Sequence, residues 1–184
     1  MKTILFLAAN PKDTAPLRLD EEVRRIDEGL RRSRQRENFK LVSKWAVQIP
    51  DLRRALLDEE PNFVHFSGHG SKLGRIYLED KVGMGQEVKP EALGNFFKLF
   101  SDHVSCVVLN ACYAEIQADE IVKHIPFVVG MNTAVPDQAA IEFSEAFYDA
   151  IGSGKDVEFA FNLACNAIEM YDLNAENIPV LKKK

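Results

Sequence analysis

No two of the three cysteines, Cys106, Cys112 and Cys165, stand in a CxxC spacing, and an odd number cannot all pair within one chain. That argues against a disulfide framework and against a structural zinc site, and it fits a reducing cytoplasm. Long apolar runs are missing as well: nothing approaches the roughly 18 consecutive apolar residues of a membrane span. The opening MKTILFLAANP is too short for a secretory leader and meets Asn10-Pro11 at once, so it reads as a retained first strand with no export. The excess of one sign of charge over the other is small. A net charge of −5 gives no general attraction to nucleic acid. The one basic run, Arg31, Arg32, Arg34 and Arg36, falls at the end of a predicted helix, where cations complement the macrodipole. Lys182 to Lys184 read as a solvated tail. Internal repeats and low-complexity linkers are absent, and 184 residues of ordinary composition make one domain, residues 1–184.

What is present is alternation. TILFLAA (residues 3–9), FKLVSKWAV (39–47), FVHFS (63–67), CVVLNA (106–111) and FVVGM (127–131) read as strands. Most are apolar at every position, as expected of a sheet covered on both faces. IPVL (178–181) adds an edge strand, since Pro179 excludes a central one. Between them Leu19, Val23, Ile26 and Leu30 recur at helical spacing, with Asp20, Glu21 and Glu22 early and the arginines late. DLRRALLDEE, EALGNFFKLF and two helices around Phe143–Phe147 and Phe161–Ile168 complete the pattern. Residues 74–88 carry two short strand signals around Gly83 and Gly85, a small hairpin projecting beyond the third strand. The residues therefore predict an open, mostly parallel α/β sheet of about six strands flanked by helices. Chemistry in such sheets gathers at the carboxyl ends of the strands.

Two chemically capable residues sit at such ends. FVHFSGHGS closes the third strand on His69, held between Gly68 and Gly70, and CVVLNAC closes the fourth on Cys112. With parallel neighbouring strands both side chains emerge at one edge, and an imidazole beside a thiol favours the thiolate, the attacking species. Cys106 and Cys165 sit in apolar patterns and read as small core residues, and His65 as a hydrogen-bonded core histidine. His103 and His124 have no catalytic surroundings. Asp137, in the turn before a helix, reads by position as an N-cap. Asn10, Asp13 and Thr14 look like a turn and cap.

HFSGHG followed by VVLNACYAE resembles the caspase-like cysteine peptidases, specifically the bacterial CHAT group related to caspases and separases. The resemblance runs from ILFLAANP and LRLDEEVRRI through FVVGMNTAVPDQAAIEFSEAFYDAI. The cysteine follows the histidine by 43 residues, near the roughly 50 typical of caspases. The resemblance implies a caspase-like three-layer sandwich. It makes His69 the general base and Cys112 the nucleophile, with the N–H groups of Gly70 and Cys112 as the oxyanion hole. It also makes Asp137 the pocket residue for a basic side chain, so that cleavage follows Arg in preference to Lys. Two departures stand out: Ala114 occupies the place of the glycine in the caspase QAC[RQG]G signature, and Asn110 that of the metacaspase acid. They point away from cleavage after aspartate and from calcium dependence.

The expected protein is a cytoplasmic cysteine endopeptidase, a signalling or defence effector acting on protein or peptide substrates. It needs no cofactor or metal and contacts neither nucleic acid nor membrane. YAEIQADEIVKHIP, between Cys112 and the next strand, is helix-like rather than an exposed linker, so activation is expected through a regulatory protein partner and not by nicking. A non-catalytic interaction module of the same fold is the alternative. A nucleotide-binding or TIR-like α/β protein is weaker, because no GxGxxG or Walker loop follows any strand.

Overall fold

The computed structural model describes residues 1–184. In chain order the elements are β1 (Lys2–Ala8), α1 (Leu19–Arg32), β2 (Phe39–Lys44), α2 (Ile49–Glu59), β3 (Phe63–Ser67), β4 (Ile76–Glu79), β5 (Gly85–Val88), α3 (Pro90–Lys98), β6 (Cys106–Asn110), α4 (Glu115–Ile121), β7 (Phe127–Met131), α5 (Asp137–Gly152), α6 (Val157–Met170) and β8 (Pro179–Lys183). Six strands form one sheet in the order β2-β1-β3-β6-β7-β8. All neighbours are parallel except the edge pair β7 and β8. Pro179 opens that edge strand, where its missing N–H costs least.

The apolar runs are buried on both sides because three helices cover each face. From β1, Leu5 and Leu7 point into one core with Leu52 and Leu56 of α2, Phe97 of α3 and Ile121 of α4. Ile4 and Phe6 point into the other, with Ile26 of α1, Phe143 and Phe147 of α5 and Ile168 of α6. The dipole reading of α1 holds, with acids in its first turn and Arg31 and Arg32 in its last. Helix α2 starts earlier than the apolar spacing predicts: Gln48 and Asp51 close a capping box around Pro50. The second strand stops at Lys44, three residues short of the predicted end, because the chain turns at Ala46 in the left-handed region (φ 51°).

The hairpin also differs. It does not project: Ile76 and Leu78 of β4 are buried in the first core. Its strand is tied back by Tyr77 N–H to the His69 carbonyl (3.0 Å) and Glu79 N–H to the Val47 carbonyl (2.9 Å). The alternation IYLE already pairs two inward apolar residues with two outward polar ones.

The chain passes from β1 to β2 on one side and then to β3 on the other, so the order reverses between β1 and β3. A crevice opens at the carboxyl ends there. The loops after β1 and β3 face each other across it, and β6 with its loop lies beside them.

Phe147 is fully buried, stacked on Phe143 (5.9 Å) and edge-on to Tyr148 (5.2 Å). Phe147→Ala should cost about 3–5 kcal/mol, read as a lower urea midpoint at unchanged slope.

Candidate active site

Register brings the two candidate groups together. Ser67, the last residue of β3, lies opposite Asn110, the last of β6. His69 and Cys112 each follow two residues later, so continuing the register sets them side by side. The glycines around His69 answer to space rather than to backbone freedom, because neither has a positive φ. A Cβ on Gly68 would stand 2.7 Å from the Ala9 carbonyl oxygen, and one on Gly70 1.9 Å from that of Cys112. The β3 loop passes so close to the β6 loop that only hydrogen fits.

His69 Nε2 lies 2.7 Å from the Ala15 carbonyl oxygen, in the loop after β1. A carbonyl only accepts, so Nε2 carries the proton and a neutral ring keeps its lone pair on Nδ1. This backbone acceptor has no sequence signature; only the topology puts the two loops face to face.

Cys112 is partly buried, and its thiol faces the Val135 carbonyl at 4.0 Å. The next residue, Tyr113, takes the left-handed region at φ 57° and donates its N–H to the Thr133 carbonyl (3.1 Å). A non-glycine residue held there is a strained turn, of the kind that concentrates at functional sites. Ala114, where the caspase signature has glycine, has φ −74°, open to any residue. The N–H groups of Gly70 and Cys112 donate to no partner. The other two thiols differ: burial raises Cys106, which is wholly enclosed, and burial with Glu176 pushes Cys165 up to about 11.

Asp137 lines the same cleft as His69, Cys112, Leu17 and Val135. The N-cap reading does not hold, since Pro136 occupies that position and Asp137 is the first residue of α5. Its carboxylate accepts Arg18 Nε at 2.7 Å and the Arg18 backbone N–H at 3.4 Å, while Arg18 also reaches Glu21 (2.9 Å) and Gln138 (2.9 Å). Arg18 was not visible as a site residue in the sequence. Asn10, Asp13 and Thr14 shape the loop: Thr14 Oγ donates to the Pro11 carbonyl (2.7 Å) and Asp13 accepts Gly85 N–H (2.9 Å).

Beneath the cleft His65 is a core residue, as expected, but its partner is a buried carboxylate, Glu22 (2.9 Å). Burial alone would raise this carboxyl, yet hydrogen bonds from His65, Ser144 and Ser67 hold it below the usual range. The sequence did carry the signal: Glu22 follows Leu19 by three and precedes Ile26 by four, a charge on the apolar stripe of α1.

No protein-family model matches the chain. A "Probable protease" of Gillisia limnaea is 25% identical over an alignment of 191 positions, covering the whole chain and 33% of that relative. A "Roc-COR-CHAT protease" of Runella zeae is 24% identical, covering 95% of the chain and 18% of the relative. The chain thus spans a third or less of these curated relatives. Among solved structures, a secreted C11 cysteine protease from Bacteroides thetaiotaomicron, bound to an irreversible peptide inhibitor, superposes with a TM-score of 0.71 at 14% identity, over 99% of this chain and 66% of that one. Caspase-1 from Spodoptera frugiperda gives 0.64 at 12%, over 99% and 85%. The fold is caspase-like.

Gly70→Ala should force the two loops apart. We expect it to keep the far-UV circular dichroism of the wild type while slowing alkylation of Cys112 at least about tenfold, as loss of a near-attack arrangement does. Rates read by intact mass at limiting iodoacetamide check this.

Proposed function

We propose that the chain is a cysteine endopeptidase using His69 and Cys112 as a dyad and cutting after a basic residue, arginine before lysine. One observation carries the reading: a histidine, a cysteine and a carboxylate converge on one cleft at the carboxyl edge of the sheet, with two unpartnered backbone N–H groups beside them. In this reading the Ala15 carbonyl holds the proton on His69 Nε2, and Nδ1 takes the thiol proton from Cys112. The thiolate adds to the scissile carbonyl carbon. The oxygen, now negative, receives the Gly70 and Cys112 N–H groups, donors that need no reorganisation. His69 returns the proton to the leaving amine as the C–N bond breaks. Water, deprotonated by the same nitrogen, then hydrolyses the thioester. The caspase-like fold and the protease names of the similar proteins support this chemistry.

For specificity, a carboxylate binds guanidinium through two parallel hydrogen bonds and an ammonium through one point charge. Asp137 already accepts a guanidinium nitrogen, that of Arg18, whose side chain is about half exposed. A substrate arginine replaces like with like. Regulation by a protein partner fits the stretch after the nucleophile, where Ala118 and Ile121 of α4 are fully buried and leave no exposed linker. In this reading the active species is uncut between Cys112 and β7, and the protein serves as an effector in signalling or defence.

A fluorogenic peptide panel tests the assignment. Cys112→Ala and His69→Ala should each abolish cleavage, and the double variant should be no worse than either, because the two act as a unit. Asp137→Ala should lower kcat/KM on arginyl substrates at least about 30-fold, the lower end for losing one partner of a desolvated charge pair. Undiminished cleavage by Cys112→Ala, or wild-type preference for aspartate, contradicts the reading.

Arg18→Ala should lower KM for arginyl substrates by up to about fivefold, the scale of an exposed ion pair, and leave kcat unchanged. A raised KM would instead make Arg18 part of the substrate site.

A further inference from the structure

One buried carboxylate has no role in the chemistry above. Glu22 on α1 is 2% exposed, and a buried carboxylate is destabilising unless every lone pair is used. Here they are used. Oε1 accepts His65 Nε2 (2.9 Å), Asn110 Nδ2 (2.7 Å) and Ser144 Oγ (2.6 Å), and Oε2 accepts Ser67 Oγ. Well-packed apolar side chains commonly stabilise a core as well as or better than such a cluster, so its presence is weak evidence of a stabilising purpose.

Its donors are placed in a way that bears on the dyad. Ser67 ends β3 and Asn110 ends β6, opposite one another in register. Each precedes a proposed dyad residue by two positions: Ser67 before His69, Asn110 before Cys112. One carboxylate thus holds both strand ends one step below the reacting groups. It also fixes the Asn110 amide, whose Nδ2 points to Glu22, Ser144 and the Ala140 carbonyl (3.0 Å) while its buried Oδ1 has no partner. Without an acceptor at Glu22 nothing charged prevents that amide from turning over. Arg18 immediately precedes α1 as its N-cap, and Ser144 lies on α5, the helix that Asp137 begins, so the same side chain joins α1, α5, β3 and β6 around the cleft.

We propose that Glu22 is a positioning residue of the peptidase: its carboxylate sets the spacing of His69 against Cys112 by clamping the ends of β3 and β6. Glu22 lies on the floor of the cleft with Ser67 and Asn110, hydrogen-bonds neither His69 nor Cys112, and acts through Ser67 and Asn110. The proposal rests on the dyad reading of the preceding subsection.

Inactivation by a peptidyl-arginyl chloromethyl ketone, which alkylates the attacking sulfur, tests it. The maximal rate kinact reports the attack, and KI reports binding. In Glu22→Gln, kinact should fall about 10- to 100-fold, the effect of a displacement near 1 Å, with KI within about twofold of wild type. Tyr148→Phe is the structural control. It removes the hydrogen bond to His65 Nδ1 (3.2 Å), on the side of the network away from the strand ends, and should lower Tm with kinact unchanged. Should Glu22→Gln fail to fold, Ser67→Ala decides, since it leaves three donors on the carboxylate; a several-fold loss of kinact supports positioning. Wild-type kinact in a folded Glu22→Gln, or in Ser67→Ala where the first does not fold, overturns the proposal while the dyad stands. No adduct on wild-type Cys112, or equally fast labelling in His69→Ala, overturns the dyad reading and the positioning role with it.

Discussion

Parallel pairing of β3 with β6, with Ser67 opposite Asn110, is the constraint on which the rest of the structure depends. Strand side chains repeat every two residues, so a slip of one position would send His69 and Cys112 to opposite faces. A slip of two would separate them by about 7 Å along the strands. The register is held from both sides: the apolar residues of each strand alternate between two closed cores, and the polar terminal pair meets the same carboxylate. Close passage of the two loops follows, and with it the need for hydrogen at Gly70. The turn at Tyr113 then lifts Cys112 out of the sheet.

Around this axis the interactions differ in kind. The cores supply most of the stability through burial on both faces of the sheet. Helices α1 and α5 are laced by ions as well: Arg25 reaches Glu21 (2.6 Å), Glu142 (2.9 Å) and Glu145 (3.0 Å), and Arg18 reaches Asp137 (2.7 Å). Those at the surface are exchangeable, as a binding carboxylate requires. The cluster on Glu22 is not: Glu22, Ser67 and Asn110 lie on the floor of the cleft but are only 2–3% exposed, and four donors meet on the one carboxylate. An exchangeable pair where substrate is expected thus sits above a fixed one, where geometry is set.

Much of this was legible in the sequence. Continuous apolar runs gave the parallel strands, Pro179 the edge, and the strand-end positions of His69 and Cys112 the cleft. What escaped has physical causes. The Ala15 carbonyl belongs to the backbone, so no residue type announces it. Arg18 meets Asp137 across 119 positions of chain, a pairing that only the packing of α1 on α5 creates. In the hairpin the polar, glycine-rich turn masks the inward pair Ile76 and Leu78, which only their burial in the core reveals. Glu22 is one of three acids that match the helix dipole, and it alone falls on the buried stripe. At Asn110, where the metacaspase pattern has an acid, the side-chain amide donates to the buried carboxylate of Glu22 on the neighbouring helix.

The most direct measurement is a high-resolution structure of the chain after reaction with a peptidyl-arginyl chloromethyl ketone. The account predicts one thioether, on Cys112, with the oxygen from the ketone about 2.7–3.1 Å from the Gly70 and Cys112 nitrogens. It also predicts the ligand's guanidinium on Asp137, with Arg18 displaced. An adduct on Cys106 or Cys165, or one on Cys112 whose guanidinium lies in solvent while Arg18 keeps Asp137, would contradict it.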